Sequence, residues 1–244
     1  MTAWTAFISI LAKDMRNYYL KPPNISWGII FPISWTLMFF VRSQQPVDIR
    51  EILPGIMAMS ILFGTTSMLA VTITFERRSR SFERLLLAPI SLNVLMLAKT
   101  AGAILFGTIN AFIPIVFASF VIDVSAVAWG PALASIVLIA LTSTFLGLFI
   151  AVSVSEVFEA QTFSNFIRFP MVFLCGLFLP LSRLPAFIRP VSYVLPLTYG
   201  VDILKTAINA NGILPLPVNF AALTAFGLFL FVLSQRNINR KWIH

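Results

Sequence analysis

Cysteine and histidine are almost missing from this chain of 244 residues. A single cysteine, Cys175, excludes an internal disulfide framework. A single histidine, His244, excludes a histidine-based metal centre. Charge is also scarce: Asp, Glu, Lys and Arg make up 11% of the residues, against roughly 25% in a soluble domain. That excludes a water-soluble globular protein and a disordered chain. No GxxxxGK[ST] phosphate loop occurs, so the chain does not hydrolyse nucleotide by that route. HExxH, CxxC and GxSxG are absent as well, and no nucleophile, base or metal constellation suggests a membrane enzyme. The long apolar runs hold no carboxylate. Asp123, Glu156 and Glu159 fall at their ends, whereas proton- or sodium-driven carriers usually need acidic groups or broken helices near the bilayer midplane.

What the chain does have is apolar length. Hydrophobic residues make up 59%, the mean hydropathy is +0.93, and 24 phenylalanines dominate the aromatics. A spanning helix needs about 20 mostly apolar residues. Six runs qualify, at 25–41, 52–75, 100–122, 131–154, 162–180 and 219–234. The expected fold is an all-α integral membrane domain over 1–244, with six transmembrane helices. The stretch before the first run lacks a signal peptide's basic head and is too polar for its apolar region. The chain carries 17 Lys+Arg against 9 Asp+Glu. With the amino terminus inside, the segments around Lys13, Arg77 and Arg236 hold most of the basic residues. The outer segments keep only Arg42, Arg50, Arg183, Arg189 and Lys205. The positive-inside rule therefore puts both termini in the cytoplasm.

Three connecting segments carry further signal. Trp4, Phe7, Ile8, Leu11, Met15 and Tyr18 recur at helical spacing opposite Ser9, Lys13 and Arg16. That predicts an amphipathic helix over 1–23, lying on the inner surface and ended by Pro22 and Pro23. It is either a passive anchor or a docking element. The second segment, FERRSRSFERLLLAP over 75–89, predicts a short charged helix, with Glu76 and Arg80 spaced i,i+4 and Phe82, Leu85 and Leu86 as an apolar stripe. Positive-inside anchoring explains the arginines but not Glu76, Glu83 or Phe82 among them. Mixed charge around an aromatic suits a protein contact better than lipid headgroups. The third segment, 181–218, falls outside yet is largely apolar and is broken by Pro185, Pro190 and Pro196. Short re-entrant helices between spans five and six account for it, as a buried cap or as an outer gate.

Inside the spans, Arg168 is the one plainly intramembrane charge. It lies near enough to the inner boundary to snorkel or to meet Glu156 or Glu159. Small residues recur every fourth position, Ser143, Gly147, Ala151 and Ser155 in the fourth run and Ala103, Gly107 and Ala111 in the third. They predict close helix approach, within one chain or between two.

With these features together, the chain resembles the membrane subunits of ABC transporters of the type-2 exporter class, over essentially its whole length. Three features carry the resemblance. One is the interfacial helix ahead of six spans. Another is FERRSRSFERLLLAPISLNVLMLAK (75–99), similar to a family pattern E-R-x5-E-R-L-L-x-x-P. The third is GLFLPLSRLPAFIRPVSYVLPLTYGVDILK (176–205), which sets Pro180, Leu184, Pro185, Pro196, Leu197, Thr198 and Tyr199 at the family's spacing. Drug-resistance and nodulation-factor permeases look nearer than polysaccharide permeases. The resemblance implies two paired permeases, here a homodimer, in the cytoplasmic (inner) membrane. Two copies of a separate ATPase would dock beneath and bind the ATP and Mg, so this chain needs no cofactor and is no enzyme by itself. It also implies a coupling helix in which Glu76, Arg80, Phe82, Glu83, Arg84 and Leu85 meet the ATPase, a connecting helix before Pro23, and an extracellular gate containing Pro180, Pro185, Pro196, Thr198 and Tyr199. The substrate implied is amphipathic or lipid-like, moved outward, and nucleic acid is not a partner. The residues by themselves leave two rivals, a membrane scaffold or sensor that transports nothing and an ion-coupled carrier.

Overall fold

A computed structural model describes residues 3–42, 48–87 and 90–241, and among them all regular structure is helical. Helix α1 (Ala3–Asp14) continues through a π-helical turn (Met15–Tyr19). The chain bends at Leu20 and Lys21. A second helical run then passes through α2 (Pro22–Ile25), another π-helical turn (Ser26–Ile30) and α3 (Phe31–Arg42). Prolines at a first helical turn give up only a donor that has no helical partner, so Pro22 and Pro23 start a new helix rather than interrupt one.

The remaining elements are α4 (Ile49–Arg78), α5 (Ser81–Leu86), α6 (Leu92–Ala118), α7 (Trp129–Ser153) and α8 (Val157–Leu174). A 3₁₀ turn (Leu181–Arg183), α9 (Arg189–Val194), α10 (Pro196–Asn209) and α11 (Leu216–Lys241) complete the chain. Among the described residues, four helices are long and apolar enough to cross a membrane: Ile49–Arg78, Asn93–Ala118, Trp129–Ser153 and Leu216–Ile238. They correspond to the second, third, fourth and sixth predicted spans. The third begins earlier than expected because Ser91 caps α6, its hydroxyl accepting from Val94 N at 3.3 Å. The first predicted span coincides with the helical run through α2 and α3. The fifth coincides with α8, 18 residues long, which ends at Leu174 rather than Pro180.

Helix α4 is the hub. Its most apolar stretch is 94% buried inside the protein, whereas that of α11 is 17% buried. Such burial suits a helix whose hydroxyls need partners away from water. Thr65 Oγ1 donates to Ile61 O at 2.9 Å and Thr74 Oγ1 to Ala70 O at 2.7 Å. The small-residue stripes serve contacts within this chain. Thr66 Oγ1 donates across to Ser143 O at 3.2 Å, and a Cβ on Gly147 would stand 2.4 Å from Thr66 O. Gly107 in α6 gives room to the Thr65 side chain. So α4 is clasped between α6 and α7, and meets α7 at backbone distance.

Helix α1 departs from its predicted orientation. Ala6, Ile10 and Asp14, spaced i,i+4, face inward and pack against α6. Trp4 and Ile8, on the predicted apolar face, remain exposed. The helix therefore has two useful faces, one docked on protein and one free to lie on a membrane surface.

The close α4–α7 approach predicts that Gly147→Val forces the two backbones apart and destabilises the protein by about 1–3 kcal/mol. Thermal melts in detergent check this. An unchanged midpoint would mean the approach is not needed.

Candidate functional site

The charged turn between α4 and α6 is built on the polar end of an apolar helix. Arg77 and Arg78 occupy the last turn of α4, where cations favour the negative end of the helix dipole. Ser79 ends the helix, and Arg80 takes a left-handed conformation (φ 55°). The hydroxyls of Ser79 and Ser81 both donate to Glu76 O, at 3.2 Å each, which closes the turn into α5. The predicted Glu76–Arg80 helical pair therefore does not form, because the helix stops before Arg80.

Glu76 is instead the centre of a buried ring of charge. Lys13 Nζ donates to its Oε1 at 2.6 Å, and Lys99 Nζ approaches Oε2 at 2.5 Å. The same two ammonium groups reach Asp14, Lys13 to Oδ1 and Lys99 to Oδ2, each at 3.1 Å. Each cation thus touches both anions, and the ring is neutral. Only Lys13 keeps appreciable exposure, at 33%, and the others are at or below 1%. Burial works against the Lys13 ammonium. Its hydrogen bond to Glu76 and the charges of Asp14 and Glu76 outweigh that effect and hold its pKa above the ordinary lysine value. The ring joins α1, the end of α4 and the start of α6. A neighbouring apolar cluster of Ile10, Tyr19, Leu69, Ile73, Phe82 and Leu95 supports it.

The predicted coupling residues divide by this geometry. Glu76 and Phe82 face inward, Phe82 being 3% exposed, and both hold the turn from behind. Leu85 packs against the same cluster. Arg80 and Arg84 are exposed. Glu83 sits on α5, but its side chain lies outside the described residues, as does Pro89. Sequence reading treated Lys13 and Lys99 only as topogenic charges and passed over Asp14. The available signal was an acid at Asp14 and another at Glu76, each within a basic boundary segment.

Neighbouring groups complete this end. Arg78 pairs with Glu156, linking α4 to the start of α8, and Arg77 donates to Val154 O at 3.5 Å. Glu159 caps its own helix, accepting from Ser155 N at 3.1 Å and Glu156 N at 3.2 Å. Arg168 meets neither acid and does not snorkel, which corrects both readings. It is fully buried, donating to Ser67 Oγ at 2.7 Å, Ser164 O at 3.3 Å and Asn165 Oδ1, with its guanidinium 4.3 Å from the Phe63 ring centre. Turned toward α4, it finds more donors' partners than the helix boundary offers.

The opposite end holds the predicted gate residues. Pro196 starts α10 at its first turn. Thr198 Oγ1 donates to Ser192 O, and Tyr199 Oη donates to Tyr193 O at 2.7 Å. The P-L-T-Y run is thus a clasp that satisfies carbonyls at the end of α9 from the start of α10. Pro180 and Pro185 are exposed and flank the 3₁₀ turn. Asp202, which sequence reading did not single out, gathers the next loop. It accepts from Ile213 N at 2.8 Å, Leu214 N at 2.9 Å and Asn219 Nδ2 at 2.7 Å. Pro54, lacking N–H, leaves Arg50 O without a helical donor, and Asn209 Nδ2 fills that role at 2.8 Å, which ties α10 to α4.

A buried prop of charge at one end and an ordered clasp at the other belong to one helical domain with membrane-length helices. The ABC-2 type transporter family model matches residues 5–209. The chain belongs to that family. It is also similar to the inner membrane transport permease YadH of Escherichia coli (strain K12), at 22% identity over a 245-residue alignment covering 97% of this chain and 96% of the relative. The YadH of Shigella flexneri matches to the same extent. The chain is therefore a transport permease subunit of the ABC-2 type, a family whose members lack an ATPase site of their own.

The ring makes a quantitative prediction. Glu76→Gln leaves Lys99 buried with half its compensation and costs about 3–5 kcal/mol. Adding Lys99→Met leaves a neutral Lys13–Asp14 pair and recovers most of that loss. Detergent melts of the single and double variants read this coupling. Additive losses would mean that the four groups do not act as a unit. At the far end, Asp202→Ala strands the backbone donors of Ile213 and Leu214, while the Asn219 amide keeps Leu214 O. The expected loss is about 1–3 kcal/mol for each group left unpaired. Hydrogen exchange of Ile213 and Leu214 should rise selectively.

Proposed function

We propose that this chain is the permease subunit of an ATP-driven exporter that moves an amphipathic or lipid-like substrate out of the cell. In this reading two copies pair as a homodimer in the inner membrane, each with six spans and both termini cytoplasmic. The run through α2 and α3 is the first span and α8 the fifth, with α9 and α10 re-entering from outside as the gate. Two copies of a separate ATPase carry the ATP and Mg. Residues 75–89 form the coupling helix and 1–23 the connecting helix.

The observation that carries this reading is the buried ring of Lys13, Asp14, Glu76 and Lys99. It stands directly behind a turn that exposes Arg80 and Arg84. A turn pushed by a partner transmits force only if its base is rigid, and four mutually paired charges make a stiff base that ties α1, α4 and α6 together. ATP binding drives such motion through its differential affinity for two states. Arg80, Glu83 and Arg84 are the groups we assign to the ATPase surface, with Glu76, Phe82 and Leu85 bracing them. Pro180, Pro185, Pro196, Thr198 and Tyr199 shape the gate, where the α9–α10 clasp lets the two short helices move as one piece.

Copurification tests the reading. The tagged chain, gently extracted, should bring a stoichiometric ATPase carrying a phosphate loop. The Glu83→Lys/Arg84→Glu variant should insert normally but lose at least tenfold of that partner, since reversed charges oppose the docking surface. Absence of any ATPase, or transport by proteoliposomes of the chain alone, overturns it. Topology has its own check. In a Cys175→Ala background, a cysteine at Ser182 should label from outside intact cells and one at Ser79 only after permeabilisation. Both positions are exposed. The reverse pattern would invert the orientation.

A further inference from the structure

Two cavities meet at Ile52, at the end of the bundle where α4 begins. The first encloses about 430 Å³ and is the more polar of the two, with Lys205, Arg189, Asn209 and Asn211 lining it beside Glu51. That volume lies within the roughly 300–1,000 Å³ of small-molecule sites. The second, about 290 Å³, is an apolar groove between α3, α4 and α6, lined by Ile33, Ile49, Ile56, Phe117 and Val121. A polar chamber and an apolar groove sharing one wall match the two halves of an amphiphile.

Two polar atoms behind the chamber wall are unpaired. Arg189 Nε and Asn209 Oδ1 are buried without partners. The Arg189 guanidinium is nevertheless fixed, its Nη2 donating to Ser182 O at 3.0 Å and Leu184 O at 3.3 Å. Lys205 Nζ is held by Gly176 O. Asp202 lies near Lys205, but its oxygens are committed to Ile213, Leu214 and Asn219. Glu51 is therefore the one carboxylate among the described lining residues set against two cations. The chamber favours an anion that can accept from a guanidinium and an ammonium together, as a phosphate does.

We infer that the two cavities form one binding site for an anionic amphiphile. A phosphate-bearing headgroup lies between Arg189 and Lys205, and an acyl chain passes Ile52 into the groove between α3, α4 and α6. The inference deepens the permease reading, from which it takes only the leaflet, the outer one. Binding itself needs neither the ATPase nor transport.

The purified full-length chain, with whatever copurifies, is incubated with equal amounts of phosphatidylglycerol and phosphatidylcholine, and native mass spectrometry counts the retained lipid. One phosphatidylglycerol per chain, several-fold over phosphatidylcholine, is the expected result. Asn211→Asp adds a negative charge at an exposed position of the chamber and should reduce that retention at least fivefold without changing the melting temperature. Val121→Trp, at the exposed rim of the groove, should reduce retention of both lipids. Inorganic phosphate at millimolar concentration should not displace the lipid. Equal retention of the two lipids, indifference to Asn211→Asp or to Val121→Trp, or displacement by phosphate alone each overturns the inference. Because the readout is lipid retention, a chain that binds no ATPase would still give a clear answer.

Discussion

Four charges closed into a ring set the architecture at one end of this protein. An isolated ammonium or carboxylate in an apolar interior is untenable, and even a single buried pair barely balances its desolvation. Lys13, Asp14, Glu76 and Lys99 solve this together, because each ion meets two of opposite sign. The solution requires three segments far apart in sequence to arrive at one point. It thereby fixes where α1 docks, where α4 ends and how far Lys99 is drawn inside α6. The turn at Ser79–Arg80 and the inward seat of Phe82 follow from that placement.

The same constraint, that polar groups away from water need partners, explains the rest of the bundle. Helix α4 is buried on nearly every side, so its hydroxyls bond to its own backbone or to that of α7. Arg168 turns inward because Ser67, Asn165 and the Phe63 ring receive it there. Pro54 frees one carbonyl, and Asn209 from α10 takes it. Each of these polar contacts answers a local deficit. They leave a charged prop at one end and a clasped pair of short helices at the other, joined by the central α4.

Much of this was legible in the chain itself. Apolar run length located all four of the long helices to within a few residues at most ends, since the bilayer sets a minimum length that soluble helices rarely reach. Pro22 with Pro23, and Pro196, rightly marked breaks in the chain, but in the fold each opens a new helix, because a proline ring fits a first helical turn. Small residues every fourth position correctly announced close packing, and the charged run at 75–89 announced a short helix, though not the turn that separates it from α4. The resemblance carried by ERRSRSFERLL and PLTY reached the family directly, and residues 5–209 match its model.

Partner choice was not legible. Glu76 is spaced to pair with Arg80, four residues on, yet in the fold it pairs with Lys13, 63 positions before it, and with Lys99 beyond the next helix. Arg168 pointed on paper to Glu156 or Glu159, but those acids serve Arg78 and a helix cap. The small-residue stripes left open whether the partner helix came from the same chain, and α1 was read by one face when it uses two. In each case the sequence determined that a group needed a partner, because hydropathy and helical spacing are properties of a single segment. Which partner it found was decided only by tertiary structure, because burial removes water as the default acceptor and leaves the nearest compatible group in space, however distant along the chain.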